Sequence, residues 1–348
     1  MTTPRRVIAN CYRLLLAIAA PTLSFADSSL TIDGKPATDY LPLLDSTTQR
    51  MFNVDPNTGM YVSEIKPNLF LVSDGVFQSA FLKTGKGVIV FDAPPRYAAK
   101  LPAIIETHAP NEAVKYLIYS HGHGDHIGGA SALSDTPGLH IIAHQHLADT
   151  LRNPTGPHTI PAPTTYFNDA HTVSLGEEKV ELRYHGNFHA HDADIFIYLP
   201  RQRVLYVIDA VGPGYVPFKN LGMTTNPQRY TTLFDDMLLY DFDTFIGGHL
   251  NIVGNRQDIF ITRDYVRDVA VTSEHIIDTV EPGPLFAEVF SALQRNDNLF
   301  LAYSHYLQTL AEKCAEQLIA RWKNRLSGVD VWAKSHCSTM QNNMLAER

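Results

Sequence analysis

Cysteine is scarce, with three in 348 residues, and that excludes a disulfide framework as the basis of the fold. Basic residues are also in short supply. Lys and Arg number 28 against 36 Asp and Glu, a net charge of −8, so no basic excess exists to neutralise a nucleic-acid backbone. The apolar run near the N-terminus, Leu14 to Leu23, is ten residues long and interrupted by Pro21, about half of the roughly 20 residues that a bilayer-crossing helix needs. Internal repeats and low-complexity tracts are not visible. What is abundant is apolar surface: 45% hydrophobic against 18% charged residues excludes disorder as the main state. Sixteen histidines leave a His-based metal site open. The length fits one large domain or one domain with an appendage.

Residues 1–26 read as an export signal. Arg5, Arg6 and Arg13 precede the apolar run, and Ser24-Phe25-Ala26 follows as a small-x-small cleavage site. Cleavage after Ala26 is expected, giving a secreted or periplasmic protein with no stable membrane insertion. It would remove three arginines and no acidic residue, taking the net charge from −8 to −11. It would also remove Cys11 and leave Cys314 and Cys337 in an oxidising compartment. A bridge between them and a free, buried Cys314 are both compatible with the sequence.

Residues 27–57 are polar and lack periodicity, which predicts an extended lead-in. Short runs of branched and aromatic residues then predict strands at Asn68 to Ser73, Val76 to Lys83, Gly87 to Asp92 and Tyr116 to Ser120. Arg96 to His108 and Ala130 to Ser134 read as helical. A second strand series follows at Leu139 to Ala143, Val180 to Tyr184, Asp194 to Tyr198, Arg203 to Ile208 and Thr244 to Ile246. The alternation implies an α/β protein of stacked layers, with a main domain over 58–280. Beyond Gln257 apolar residues recur at helical spacing, with a joint at Pro282-Gly283-Pro284 and the longest helical pattern at Leu301 to Leu326. The expectation is a helical C-terminal extension over 281–348, which covers the main domain or forms a homodimer surface.

The chemistry concentrates in Tyr116-Leu-Ile-Tyr-Ser-His-Gly-His-Gly-Asp-His-Ile-Gly-Gly129, an apolar strand running into His121, His123, Asp125 and His126. Four potential ligands in six residues converge on one point only if the backbone turns sharply, and the expectation is that the interleaved glycines supply left-handed conformations. His189, Asp209 and His249 follow strands or sit in turns. Together the seven residues offer enough imidazole and carboxylate for two zinc ions.

At this point the sequence resembles the metallo-β-lactamase superfamily of binuclear zinc hydrolases. The His-x-His-x-Asp-His motif is followed by His, Asp and His at intervals of 63, 20 and 40 residues after His126, and Val88-Ile-Val-Phe-Asp92 and Ile197-Tyr-Leu-Pro200 agree as smaller cues. The resemblance implies a four-layer αββα sandwich and two zinc ions per chain. It implies that His121, His123 and His189 bind the first ion, that Asp125, His126 and His249 bind the second, and that Asp209 bridges them. Water held between such ions ionises near pH 7, with Asp125 as the catalytic group that orients it and returns a proton to the leaving group. The run His189-Ala-His191-Asp-Ala-Asp194 departs from the family's spacing by one residue. His189 is the expected third ligand because Gly186 stands three residues before it, and His191 is the alternative.

The substrate is set by loops rather than by the metals. The leading expectation is an exported hydrolase that opens a cyclic amide or ester, a β-lactam or a lactone. The loop Gly212-Pro-Gly-Tyr-Val-Pro-Phe-Lys-Asn220 offers Tyr215 as an apolar wall and Lys219 or Asn220 for a substrate carboxylate or oxyanion. The alternatives are phosphodiester or sulfate ester hydrolysis on the same metals and, in another class, a non-catalytic zinc-binding protein. The acidic balance gives polyanions no long-range attraction and favours small, weakly charged substrates.

Overall fold

The computed structural model describes residues 30–152, 160–189 and 193–348; the expected signal segment lies outside them. Two compact units result, one ending at Tyr40 and one spanning Leu41–Arg348. In the first, β1 (Thr31–Ile32) and β2 (Lys35–Pro36) form an antiparallel hairpin. Asp33 and Gly34, both with positive φ, make its turn.

The second unit begins with the short helix α1 (Asp45–Thr48) and builds a seven-stranded sheet in chain order. Strands β3 (Tyr61–Lys66), β4 (Leu69–Ser73), β5 (Gln78–Lys83) and β6 (Val88–Phe91) are antiparallel neighbours. After the crossover helix α2 (Leu101–His108), β7 (Val114–Ile118) pairs parallel with β6. The one-turn helix α3 (Gly124–Ile127) leads to β8 (His140–His144), then α4 (Gln145–Arg152) and the edge strand β9 (Thr165–Phe167), again parallel. Strands β4 and β6 are buried at every residue, the pattern of strands covered on both faces.

A five-stranded sheet follows. It comprises β10 (Ala170–Leu175), β11 (Glu178–Tyr184), β12 (Ile195–Leu199) and β13 (Val204–Tyr206), antiparallel throughout, closed by β14 (Thr244–Ile246) parallel to β13. In β11, Glu178, Val180 and Leu182 are buried while Lys179 and Arg183 are exposed, so one face alone meets the core. The connection between β13 and β14 holds α5 (Pro227–Leu238), and beyond β14 come α6 (Arg256–Thr279), α7 (Pro282–Leu293), α8 (Leu299–Trp322) and α9 (Val329–Ala346).

Three cores define four layers. Leu71, Leu82, Ile89 and Ile118 of the first sheet meet Leu182, Ile197, Val204 and Ile246 of the second. Outside the first sheet, Phe81, Val90 and Leu117 pack on Leu101 and Ile105 of α2 and Leu147 of α4. Outside the second, Phe196, Leu205 and Phe245 pack on Leu233 of α5, Val266 of α6, Leu310 of α8 and Met340 of α9. This is the expected αββα sandwich with a helical C-terminal region, and that region shares its core with α5 and α6. The expected helix from Leu301 to Leu326 is present as α8, which ends four residues early at Trp322; Gly328, with φ of 75°, then precedes α9. Cys314 of α8 and Cys337 of α9 form a disulfide, which settles the pair of readings the sequence left open.

Candidate metal centre

Parallel β7, β13 and β14 place their C-terminal ends along one edge of the sandwich, where chain reversals leave backbone and side chains available for a ligand. His121 stands three residues past β7, Asp209 three past β13 and His249 three past β14. Gly124, Gly128 and Gly129 do not adopt the expected left-handed backbone. At Gly128 and Gly129 the requirement is close approach, whereas a Cβ on Gly124 would meet nothing within 4 Å. A Cβ on Gly128 would lie 2.2 Å from the Gly124 carbonyl oxygen, and one on Gly129 would lie 2.3 Å from the Ala98 Cβ. The left-handed turns sit instead at Asp92, Asp209 and Gly248, with φ of 60°, 63° and 89°, conformations that cost a non-glycine residue strain.

All seven expected ligands come together, in two groups. His121, His123, His189 and Asp209 form one, and Asp125, His126 and His249 the other; within each group the ligand atoms lie within 4.8 Å of one another. The carboxylate of Asp209 stands between them. Its Oδ2 is 3.3 Å from His121 Nε2, 3.7 Å from His123 Nδ1 and 3.7 Å from His189 Nε2. Its Oδ1 is 3.2 Å from His126 Nε2 and 2.9 Å from His249 Nε2. Asp125 Oδ2 is 3.7 Å from the Nε2 atoms of both His126 and His249.

Buried polar atoms test whether the cluster fits a metal. His121 Nε2, His189 Nε2 and Asp209 Oδ1 are buried without a hydrogen-bond partner, a costly state for atoms of this kind. A cation beside His121 and His189 and a second beside Asp209 Oδ1 would satisfy all three, and His/Asp donors suit divalent transition metals. His121, His126 and His189 form the buried floor, whereas His123, Asp125 and His249 are partly open to solvent. Burial depresses the His121 pKa to about 4, keeping the imidazole neutral as a ligand must be. Burial alone would raise the Asp209 pKa, but the charge of His126 and the nearby imidazoles of His121 and His123 hold it well below the carboxylate range.

A second layer aims the imidazoles. Ser120 Oγ is 3.0 Å from His121 Nδ1, and Asp194 Oδ1 is 3.1 Å from His189 Nδ1. Each contact leaves Nε2 directed at Asp209. Thr225 donates from both its backbone N and its Oγ1 to the His189 carbonyl, at 3.3 and 2.9 Å. Asp92, fully buried, accepts from the Ser120 amide and the Tyr206 hydroxyl, and burial raises its pKa to about 6. Thr225 carries no sequence signal, because its partner His189 is 36 residues away; Ser120 adjoins its partner His121, but a serine before a histidine is too common to mark a site. His191 lies outside the described residues, while His189 is the histidine held by Asp194.

The loop expected to meet substrate is braced from behind. Tyr215, half-buried, bridges to Ser327, and the Asn220 amide donates to Ser335 Oγ of α9; Lys219 is exposed. From Asn220 to Met223 four consecutive residues have positive φ, a left-handed turn in which a Cβ on Gly222 would sit 2.9 Å from the Asp209 carbonyl oxygen. Sequence reasoning also missed Phe77, whose ring centroid is 5.1 Å from that of His249 and 6.2 Å from that of His126.

A sequence model of the metallo-β-lactamase superfamily matches residues 74–249. A 206-residue stretch, 57% of the chain, is 29% identical to the 2,4-dinitroanisole O-demethylase subunit alpha of a Nocardioides species, of which it spans 60% of the length. In fold, the chain is similar to a metallo-β-lactamase from Pontibacter korlensis, with a TM-score of 0.51 and 19% identity over 60% of this chain and 99% of that one. It is also similar to a double mutant of a sec-alkyl sulfatase, with a TM-score of 0.53 and 16% identity over 66% of this chain and 45% of that one.

Proposed function

Because the chain belongs to the metallo-β-lactamase superfamily of metal-dependent hydrolases, we propose that it is an exported enzyme that holds two zinc ions and opens a cyclic amide or ester, a β-lactam or a lactone. The observation that carries the reading is the division of Asp209, with Oδ2 facing His121, His123 and His189 and Oδ1 facing His126 and His249. One carboxylate serving two histidine groups is the arrangement that two neighbouring cations require. His121, His123 and His189 hold the first ion; Asp125, His126 and His249 hold the second. When bound, zinc supplies Lewis acidity to the electrophilic centre and makes a water-derived nucleophile available near neutral pH.

The protein's own groups do the positioning. Asp125, at the open side of the cluster, accepts the proton of the attacking water and returns it to the leaving group. Phe77 borders the histidines with an apolar ring, suiting an uncharged substrate body. Tyr215, Lys219 and Asn220 supply further contacts from the loop braced by α9. Export is supported by the N-terminal signal pattern and by the bridge between the two cysteines that remain after cleavage.

A second reading, cleavage of a sulfate ester or an activated ether, is favoured by the names of two similar proteins, the sec-alkyl sulfatase and the dinitroanisole demethylase subunit. The deciding experiment offers a β-lactam, a γ-lactone, a secondary alkyl sulfate, a phosphodiester and 2,4-dinitroanisole side by side to zinc-loaded protein. Turnover of the lactam or lactone at least tenfold above the others is expected. Preference for the sulfate or the ether would replace the first reading with the second, and inertness to all five would favour a non-catalytic zinc protein.

A further inference from the structure

Helix α7 reads Pro-Gly-Pro-Leu-Phe-Ala-Glu-Val-Phe-Ser-Ala-Leu, apolar around nearly its whole circumference, yet none of its residues is fully buried. A helix of that composition is ordinarily enclosed. The start of α8 continues the surface: Phe300 is 92% exposed, Leu299 60% and Leu301 45%. Between the two helices lies a cavity of about 230 Å³, lined by Val289, Ala292 and Leu293 on one side and Leu301, Ser304 and Gln308 on the other. Phe300 stands one helical turn before Ser304 and one residue before Leu301, two residues of that lining. Contiguous exposed apolar surface of this kind marks an interaction site.

We propose that the α7–α8 hairpin is the seam of a homodimer, in which Phe300 of each copy enters the cavity of the other. The surface carries both a projecting ring and an apolar hollow side by side, which is what a two-fold interface requires, since one patch must be complementary to itself. Its charge points to the same occupant. From Pro282 to Ala311 the only formal charges are Glu288, Arg295 and Asp297, and each is already engaged: Glu288 with His305 at 3.2 Å, Arg295 with Asp297 at 3.0 Å. The chain as a whole carries −8, so two copies repel over most of their surfaces and approach at least cost through this neutral patch. A partner of opposite charge gains nothing there. A lipid surface is disfavoured because interfacial helices border their apolar face with Lys and Arg, and this hairpin has one arginine, already paired.

Sedimentation or light scattering on the intact, metal-loaded protein tests the proposal. Wild type is expected at the mass of two chains across the micromolar range. Phe300→Glu, which removes the ring, and Ala292→Arg, which fills the hollow, are each expected to halve that mass while thermal midpoint and zinc content stay unchanged; both positions face solvent, so the subunit itself folds. Wild type at the mass of one chain overturns the proposal, as does Phe300→Glu that remains dimeric. Single-chain protein that floats with neutral phosphatidylcholine vesicles overturns it in favour of a lipid surface.

Discussion

At the scale of single residues, the six-residue motif was legible because its ligands are neighbours in the chain. His189 was harder. In the sequence only the spacing from Gly186 favours it over His191, and what supports it in the structure is Asp194, buried and 3.1 Å from His189 Nδ1. A carboxylate there fixes the ring's orientation and raises its basicity as a ligand. Asp194→Asn keeps the shape and removes the charge, so zinc affinity is expected to fall roughly 10- to 100-fold, measured by competition with a chromogenic chelator. His189→Ala is expected to lose one of two zinc ions, counted by elemental analysis. Zinc undiminished in His189→Ala, together with loss in His191→Ala, would transfer the role to His191. The glycines were misread for a physical reason: the sequence shows that a small residue is needed, but not whether φ or proximity demands it. Here the Gly124 carbonyl and the Ala98 methyl demand it at Gly128 and Gly129.

At the scale of elements, apolar runs made most strands readable, and the structure places β4 to β8 and β11 to β14 where the sequence predicts strands. Those missed are the marginal ones. In β10 only Val173 is buried, and α4 and α5 alternate polar and apolar residues over too few turns to separate them from loops. The least legible contact is the one α9 makes with the 212–220 loop. His336 is fully buried there, with Tyr265 Oη 2.7 Å from Nδ1 and Nε2 3.0 Å from the Phe218 carbonyl oxygen, to which the Nε2–H donates. Burial lowers its pKa to about 4, only partly offset by hydrogen bonds to Phe218 and Pro217. The unfolded chain takes the proton near pH 6.5 and the folded chain does not. This neutral histidine therefore costs no stability above pH 6.5, and stability is lost as pH falls from 6.5 towards 4, by a total on the order of 3 kcal/mol. His336→Gln retains an amide donor for Phe218 and cannot titrate. Denaturant unfolding of both proteins across that window is expected to show a shallower slope for the variant; parallel slopes would remove His336 from the account, since loss of metal acts on both alike.

At the scale of the whole molecule, the expectation of export and the disulfide bear on each other. Composition alone leaves Cys314 and Cys337 unassigned, because a cysteine at helical spacing reads equally as a small core residue. Their pairing joins α8 to α9 across 23 residues of sequence. Closing a loop of that length removes conformational freedom from the unfolded chain worth roughly 3 kcal/mol in the chain-entropy account. The bridge lies under the support of the 212–220 loop: the Val216 amide donates to the Ser327 carbonyl, just before α9, and Ser335 and His336 of α9 hold Asn220 and Phe218. A reducing cytosol would leave that support without its cross-link. If the protein is exported as proposed, material from the periplasm or medium begins at Asp27 and shows no free thiol when denatured without reductant. Reduction is then expected to lower stability by about 3 kcal/mol, seen as a lower denaturant midpoint with a slope that does not fall, because the unfolded chain opens further. A mature chain that retains residues 1–26, or two titratable thiols in the secreted protein, would sink the export reading and leave the metal site untouched, because no cysteine takes part in it.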